Sequence, residues 1–245
     1  MTKELDNRIL FVAATHGDEG FSIDALDQLK ADYAKDEYGY DWIIGNPIAL
    51  AENVRFIDTD LNRCAPGNVD SDLYEERRAS QLIRISDDYG ELIDIHGTTA
   101  NTGIFTLVTY PSIENILFAA SLPIDRVVFW YSNKSQIKGP LTQFCSQPAI
   151  EIECGPKGDL GIIIQLRSIL SMFLQNRKNG LKIDLDNKEF YAVYGAIKQW
   201  QGDRLSDFEL VTQGSEDFYP LLVGQYSDKI CYKMRKVDFA KQFIY

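Results

Sequence analysis

The stretch RILFVAATHGDEGFS, residues 8–22, is an apolar run that stops on His16-Gly17-Asp18-Glu19. Ile9–Ala14 predicts a short buried strand, and apolar residues at 23, 26, 29 and 33 predict a helix over 21–34. The chain contains only two histidines. The second, His96, sits in ELIDIHGTTANTG, residues 91–103, where an apolar run again ends in histidine followed by glycine.

Strands and helices alternate outward from these two stretches. WIIGNP (42–47) predicts a short strand closed by Asn-Pro, and Ser71 is the expected N-cap of a helix over 73–85 with Glu75 and Glu76 in its first turn. Strands are expected over 91–95, 103–110, 126–130 and 149–154, with helices over 113–120 and 158–179, the last ended by Gly180. GPKGDLG lacks the spacing of a phosphate loop and reads as the turn opening that last helix. The pattern is that of an α/β domain with a parallel or mixed sheet flanked by helices. After residue 182 the texture changes: EFYAVYGAIKQW, DFELV, DFYPLLVG and KICYKMRKVDF are strand-like and show no helical period. The expected organisation is a main unit over 1–182 and a small β-rich appendage over 183–245.

At 245 residues and 45% apolar, the chain can bury a sizeable core. Its 36 acidic and 25 basic residues give a net charge of −11, which argues against a nucleic-acid partner. The longest apolar stretch, GIIIQLRSILSMFLQNRK, carries Arg167 in its middle and falls short of a membrane span, and Ile9–Ala14 is too short for a secretory core. Cysteines 64, 145, 154 and 231 form no CxxC pair, as expected of reduced thiols in a cytoplasmic protein.

In open α/β sheets, ligands collect beyond the carboxyl ends of strands. His16 and Glu19 lie just past one such end and His96 past another, and two imidazoles with a carboxylate form a known catalytic zinc set. Lone histidines are more often satisfied core groups, so the equivalent placement of the two is what favours a metal. VRFIDTDLNRC, residues 54–64, concentrates Arg55, Asn62 and Arg63. The arginines either pair with Asp58 and Asp60 on the surface or hold a carboxylate and an oxyanion. In AIEIECGP, residues 149–156, alternation puts Glu151 and Glu153 on one face; they are either solvated strand residues or proton carriers. A cysteine nucleophile at Cys64 or Cys154 with His96 as base leaves His16 and Glu19 without a role, and a non-catalytic ligand-binding protein leaves Glu153 without one.

Together THGDE, GNP, VRFIDTDLNR, DIHGTT and IECGP, in this order and spacing, resemble the succinylglutamate desuccinylase/aspartoacylase family, relatives of the zinc carboxypeptidases. The resemblance runs motif by motif over residues 8–160 and more loosely through YPLLVGQYSDK at 219–229. It implies a zinc-carboxypeptidase-like mixed sheet flanked by helices, with the β-rich appendage capping the active site. It implies one zinc ion per chain held by His16, Glu19 and His96. By position, Asp94, two residues before His96, and Asp18, between the other two, are candidate acceptors for the imidazole N–H groups, with Asp18 equally a candidate cap of the following helix. Arg55 would polarise the scissile carbonyl, Glu153 would act as general base, and Asn62, Arg63 and Tyr226 would bind substrate. The reaction implied is hydrolysis of the amide of an N-acylated amino acid; a carboxypeptidase acting on a short peptide is the alternative. The expected partner is that small molecule, with no nucleic acid and no membrane, and self-association is left open.

The sequence departs from its relatives where the acetylaspartate-cleaving members carry a tyrosine and an arginine upstream of the catalytic glutamate. Here those positions are Gly139 and Gln143, and the nearest cation is Lys138. Acetylaspartate is therefore expected to be a poor substrate, unless Lys138, Lys229 or Lys233 reaches its second carboxylate.

Overall fold

The computed structural model describes residues 6–130, 137–180, 183 and 185–238. Strand β1 (Asp6–Ala13) is followed by α1 (Phe21–Asp32), α2 (Lys35–Tyr38), β2 (Tyr40–Ile44), α3 (Pro47–Glu52), α4 (Leu61–Cys64) and α5 (Tyr74–Ser86). Then come β3 (Tyr89–Gly97), β4 (Gly103–Val108), α6 (Ile113–Ser121), β5 (Arg126–Phe129), a 3₁₀ turn at Leu141–Gln143, β6 (Ala149–Gly155) and α7 (Leu160–Lys178). The remainder is β7 (Glu189–Ile197), β8 (Val211–Gln213), β9 (Glu216–Leu221) and β10 (Cys231–Val237).

One mixed sheet runs in the order β2-β1-β3-β6-β4-β5-β7-β10-β9-β8. The buried part of β1, Ile9–Ala13, splits its side chains between two cores. Ile9, Phe11 and Ala13 face a layer built from α1, α6 and α7, with Leu26, Ile116, Leu170 and Phe173 among its members. Leu10 and Val12 face the opposite layer, where Leu61, Ala79, Leu82 and Leu141 pack. That apolar run thus forms an inner strand covered on both faces, the situation of a parallel strand between helical layers.

Two registers set the site. β1 pairs parallel with β3 so that Ala13 lies opposite Ile95. β3 pairs parallel with β6 so that Asp94 lies opposite Glu151 and His96 opposite Glu153. Ile93, Ile95, Ile150 and Ile152 share one core, so strand alternation turns Asp94, His96, Glu151 and Glu153 to the other face.

Three of the four strand-like runs after residue 182 join the same sheet; DFELV (207–211) does not, because the chain turns there with Phe208 at φ +63° and only Val211 enters a strand. β7 pairs parallel with β5, β10 antiparallel with β7, and β9 and β8 complete the edge. A third core of Phe105, Leu107, Val128, Tyr191, Phe208, Leu221, Leu222 and Met234 seats these strands against the middle of the sheet. Residues 181 and 182, where the sequence sets a boundary, lie outside the described residues.

Three local expectations are corrected. α1 stops at Asp32 rather than residue 34, with Tyr33 already extended. Asn46 does more than close a strand: its side chain accepts from Ala49 N at 3.1 Å and caps α3, with Pro47 in the first turn. Ser71 does not cap α5, because its hydroxyl accepts from Leu73 N, while the Asp58 carboxylate takes Tyr74 N at 2.7 Å.

Candidate metal centre and substrate cleft

The glycine after each histidine has a packing cause. A Cβ on Gly17 would lie 2.0 Å from the Ala49 backbone carbon of α3, and one on Gly97 would lie 2.6 Å from the Phe21 ring. Only a residue without a side chain lets these neighbours close over the two strand ends. The chain turns out of β1 through Ala14 at φ +52°, and Ser22 at the start of α1 donates its hydroxyl to Glu19 O at 2.9 Å.

His16, Glu19 and His96 are all buried and converge. His16 Nδ1 lies 3.0 Å from Glu19 Oε1 and 3.3 Å from His96 Nδ1, and His96 Nδ1 lies 3.4 Å from Glu19 Oε2. Tetrahedral ligands at zinc bond lengths stand about 3.3 Å apart, so this donor set fits the ion in element and in spacing. The far nitrogens are also placed. His16 Nε2 faces Asp60 Oδ1 at 3.1 Å and His96 Nε2 faces Asp94 Oδ2 at 2.9 Å. With those nitrogens donating, both Nδ1 lone pairs point at one spot, the arrangement by which carboxylates orient metal-binding imidazoles. Asp94 is held in turn by the Thr15 hydroxyl at 2.7 Å.

The local field favours positive charge. Burial pulls both imidazole pKa values down, but Glu19 and Asp60 around His16, and Asp94 and Glu19 around His96, raise them above the usual value. Burial alone would raise Glu19, yet the two histidines hold its carboxyl well below the ordinary range. A second group, Asp94, His96 and Glu151, is also compact, but Asp94 and Glu151 already accept from Thr15, Asn62 and Thr142.

Asp18 is a correction. Its carboxylate takes Lys157 Nζ at 2.5 Å rather than an imidazole, and Asp60 fills the expected place beside His16. Asp60 also accepts from Arg55 Nε and Nη2 at 3.2 and 3.0 Å and from Asn62 N at 2.9 Å, so one carboxylate ties Arg55, His16 and the start of α4 together. The loop carrying them is fixed from below. Fully buried Glu75 accepts from the backbone N–H groups of Ile57, Asp58 and Thr59 at 2.7, 3.0 and 3.1 Å and from Asn46 Nδ2 at 3.1 Å.

All eight residues singled out from sequence line one cleft: His16, Glu19, Arg55, Asn62, Arg63, His96, Glu153 and Tyr226. Glu153 accepts no hydrogen bond from any described residue. Burial pushes its pKa up to about 7, with Glu151 and Glu19 adding to the rise against the pull of His96 and His16. Glu151 is instead embedded, accepting from Asn62 Nδ2 and Thr142 Oγ1, each at 3.3 Å. The Asn62 amide is thereby committed, since its Oδ1 also accepts from Leu141 N at 3.2 Å. Arg63 donates to Asn62 O at 2.7 Å and has no carboxylate partner among the described residues.

Past Glu153 the cleft opens into a chamber of about 490 Å³ that shares Asn62, Arg63, Glu153, Leu222 and Tyr226 with the metal end. Its further walls mix Phe105, Leu107, Trp130, Leu221 and Tyr232 with the polar side chains of Thr109, Lys138 and Glu151. Gly139 lies on the wall and Gln143 packs behind it, with Gln143 Oε1 buried and unbonded. The three lysines considered from sequence are engaged elsewhere. Lys138 reaches the chamber wall but pairs with Glu76, Lys229 pairs with Asp228 over the Tyr226 ring, and Lys233 pairs with Glu216. Cys64 and Cys154 are both buried, and burial pushes Cys64 up to about 12 and Cys154 well above its usual value, which disfavours a thiolate at either.

Sequence reasoning missed three residues. Asp60 was visible only as an arginine partner, Glu75 only as a first-turn helix acid, and Gln225 carried no signal. Gln225 lines the cleft and accepts from the turn after β3.

The mixed sheet flanked by helices gathers two histidines and a glutamate at its strand ends. Residues 6–175 match the family model of the succinylglutamate desuccinylase/aspartoacylase catalytic domain, and the chain belongs to that family. It is 28% identical over 173 residues to a probable aspartoacylase of Prochlorococcus marinus subsp. pastoris, covering 68% of this chain and 55% of that protein. To a probable aspartoacylase of Acaryochloris marina it is 31% identical over 164 residues, covering 61% and 55%. The chain thus spans about half the length of the curated relatives it matches. Among solved structures, murine aminoacylase 3 matches with a TM-score of 0.72 at 18% identity, over 96% of this chain and 97% of that one. The succinylglutamate desuccinylase of Chromobacterium violaceum matches at 0.68 and 17%, over 96% and 87%. At these identities the structural matches speak for the fold.

Proposed function

We propose that the chain hydrolyses the amide bond of an N-acylated amino acid, releasing a carboxylate and a free amine, with one zinc ion held by His16, Glu19 and His96. The observation that carries this reading is the spacing of the three donor atoms, 3.0 to 3.4 Å, with both far imidazole nitrogens on aspartates. Zinc, when bound there, supplies Lewis-acid polarisation of the acyl carbonyl and lowers the pKa of water toward neutrality.

The chain's own residues do the rest. Glu153, unbonded and with its pKa pushed up to about 7 by burial, takes the proton of the attacking water and passes it to the leaving nitrogen. Arg55, fixed by Asp60, faces the oxygen on which negative charge develops. Arg63, lacking a carboxylate of its own, takes the substrate carboxylate on a wall it shares with Asn62 and Tyr226. The chamber beyond takes the amino-acid side chain. Embedded Glu151, with Lys138 paired to Glu76, disfavours a second carboxylate there.

In this reading residues 1–182 form the catalytic unit and 183–245 cap it through Leu222, Gln225 and Tyr226. The four free cysteines are in keeping with a cytoplasmic setting. No helix among the described residues is long and apolar enough to cross a membrane. The names of relatives, probable aspartoacylases and a succinylglutamate desuccinylase, support the reaction class. The test is turnover of a panel of N-acyl amino acids and dipeptides, before and after chelation and with zinc restored. Chelator-sensitive release of amine from the acyl amino acids supports the proposal, and cleavage confined to the dipeptides assigns the site to a peptidase.

A further inference from the structure

The turn that follows β3 and the turn between β9 and β10 meet at one atom. Gln225 Oε1 accepts from Thr98 Oγ1 at 2.8 Å, Thr99 N at 2.8 Å, Thr99 Oγ1 at 2.5 Å and Ala100 N at 3.2 Å. Four donors converge on an amide oxygen that has two lone pairs. Both partners belong to the cleft. Thr98 comes just after His96-Gly97, and Gln225 stands next to Tyr226, with all of these side chains except the glycine's on the cleft wall.

The β9–β10 turn needs such a fixture. Leu222, which lines both the metal end and the chamber, sits at φ +59°, a left-handed conformation costly for any residue but glycine. Gln225 N bonds back to Leu222 O at 3.2 Å, so holding Gln225 also holds that conformation. A strained backbone persists where its surroundings over-determine it, and the Gln225 side chain does so from across the cleft.

We infer that Gln225 is a latch, a positioning residue that pins the β9–β10 turn to the Thr98–Ala100 turn and so holds Tyr226 and Leu222 against the substrate. The consequence for turnover rests on the amide-hydrolase reading above; the latch itself does not. Tyr226 binds substrate alike before and during the reaction, so loosening it raises KM and leaves kcat nearly unchanged.

The experiment pairs amide hydrogen exchange at Thr99 and Ala100 with steady-state kinetics on an N-acyl amino acid, using the full chain. In Gln225→Ala, protection at both amides falls about tenfold or more, and KM rises about tenfold with kcat changed less than about threefold. Gln225→Glu offers the same donors a carboxylate and keeps both the protection and KM close to the parent. Unchanged protection at Thr99 and Ala100 in Gln225→Ala overturns the latch, and so does equal loss in the Glu variant. A fall in kcat at constant KM overturns its positioning role. If the parent protein turns over no acyl amino acid, the hydrolase reading fails, and the exchange data decide the latch by themselves.

Discussion

At the inner end of the cleft His16, Glu19 and His96 are each gripped by other polar groups, whereas the adjoining chamber sets Phe105, Leu107, Trp130, Leu221, Leu222 and Tyr232 among polar side chains such as Thr109 and Lys138. Donors and acceptors at the first end are matched atom for atom: Asp60 and Asp94 on the imidazoles, Gly97 N on Glu19 Oε2 at 3.0 Å, Thr15 on Asp94. The second end offers surface and shape. In the proposed reading, reactivity rests on directional bonds that tolerate little change, while substrate choice rests on the mixed polar and apolar wall of the chamber. A methylene more or less there changes selectivity by only about 10- to 200-fold.

The sharpest way to break this contrast is to remove a donor from the inner end. His96→Ala should lose stoichiometric metal and all measurable turnover, read by elemental analysis of gently purified protein. Full metal content in that variant would refute the donor set. One shell further out, Asp94→Asn keeps the size of the side chain but loses the carboxylate that orients His96. It should lower metal affinity or activity about 10- to 100-fold, measured by competition with a chelating indicator. An effect of that size from a residue that touches no substrate would show that orientation of the ring, and not the bare ligand, sets the site.

The chamber end is tested by substrate choice. The kcat/KM for an N-acetyl amino acid with an apolar side chain should exceed that for acetylaspartate by about tenfold or more, since a second carboxylate would be desolvated without a fork-like cation. A diacid preference of similar size would mean that Lys138 leaves Glu76 to serve it. The smallest effect concerns the frame. Burial raises the Glu75 pKa, but the N–H groups of Ile57, Asp58 and Thr59 and the Asn46 amide lower it further, so it ends below its ordinary value. Its ionised form therefore stabilises the fold above the unfolded-state value, and that contribution is lost as pH falls through the folded-state value. Glu75→Gln should cost about 2 kcal/mol at pH 7, read by urea unfolding, and the difference from the parent should shrink as pH falls below about 4.5. A difference that does not depend on pH would assign Glu75 a packing role.

Much of this was legible because strand ends punctuate sequence. Ile9–Ala14 and Leu92–Ile95 are apolar runs whose abrupt stop announces the place where a parallel sheet presents ligands, and Glu151 and Glu153 alternate as a strand requires. What could not be read was which groups meet across long separations. Asp60 sits 44 positions from His16, and Gln225 sits 126 from Thr99; nothing in local pattern couples them. Asp18, adjacent to the ligands, was the natural guess for an imidazole partner, yet the turn aims it at Lys157. β7, β9 and β10 were legible as strands while the DFELV turn was not, and their place in the sheet was hidden because β7 continues the main sheet beside β5 across a wide gap in sequence.

The central claim is that Glu153, set beside His96 by the β3–β6 register, carries the proton in a metal-assisted amide hydrolysis. The most direct measurement is kcat of Glu153→Gln with zinc content determined on the same sample. The expected result is one zinc per chain retained and turnover lowered about a hundredfold or more. Near-normal turnover with zinc in place would contradict the account and move the role to Glu151.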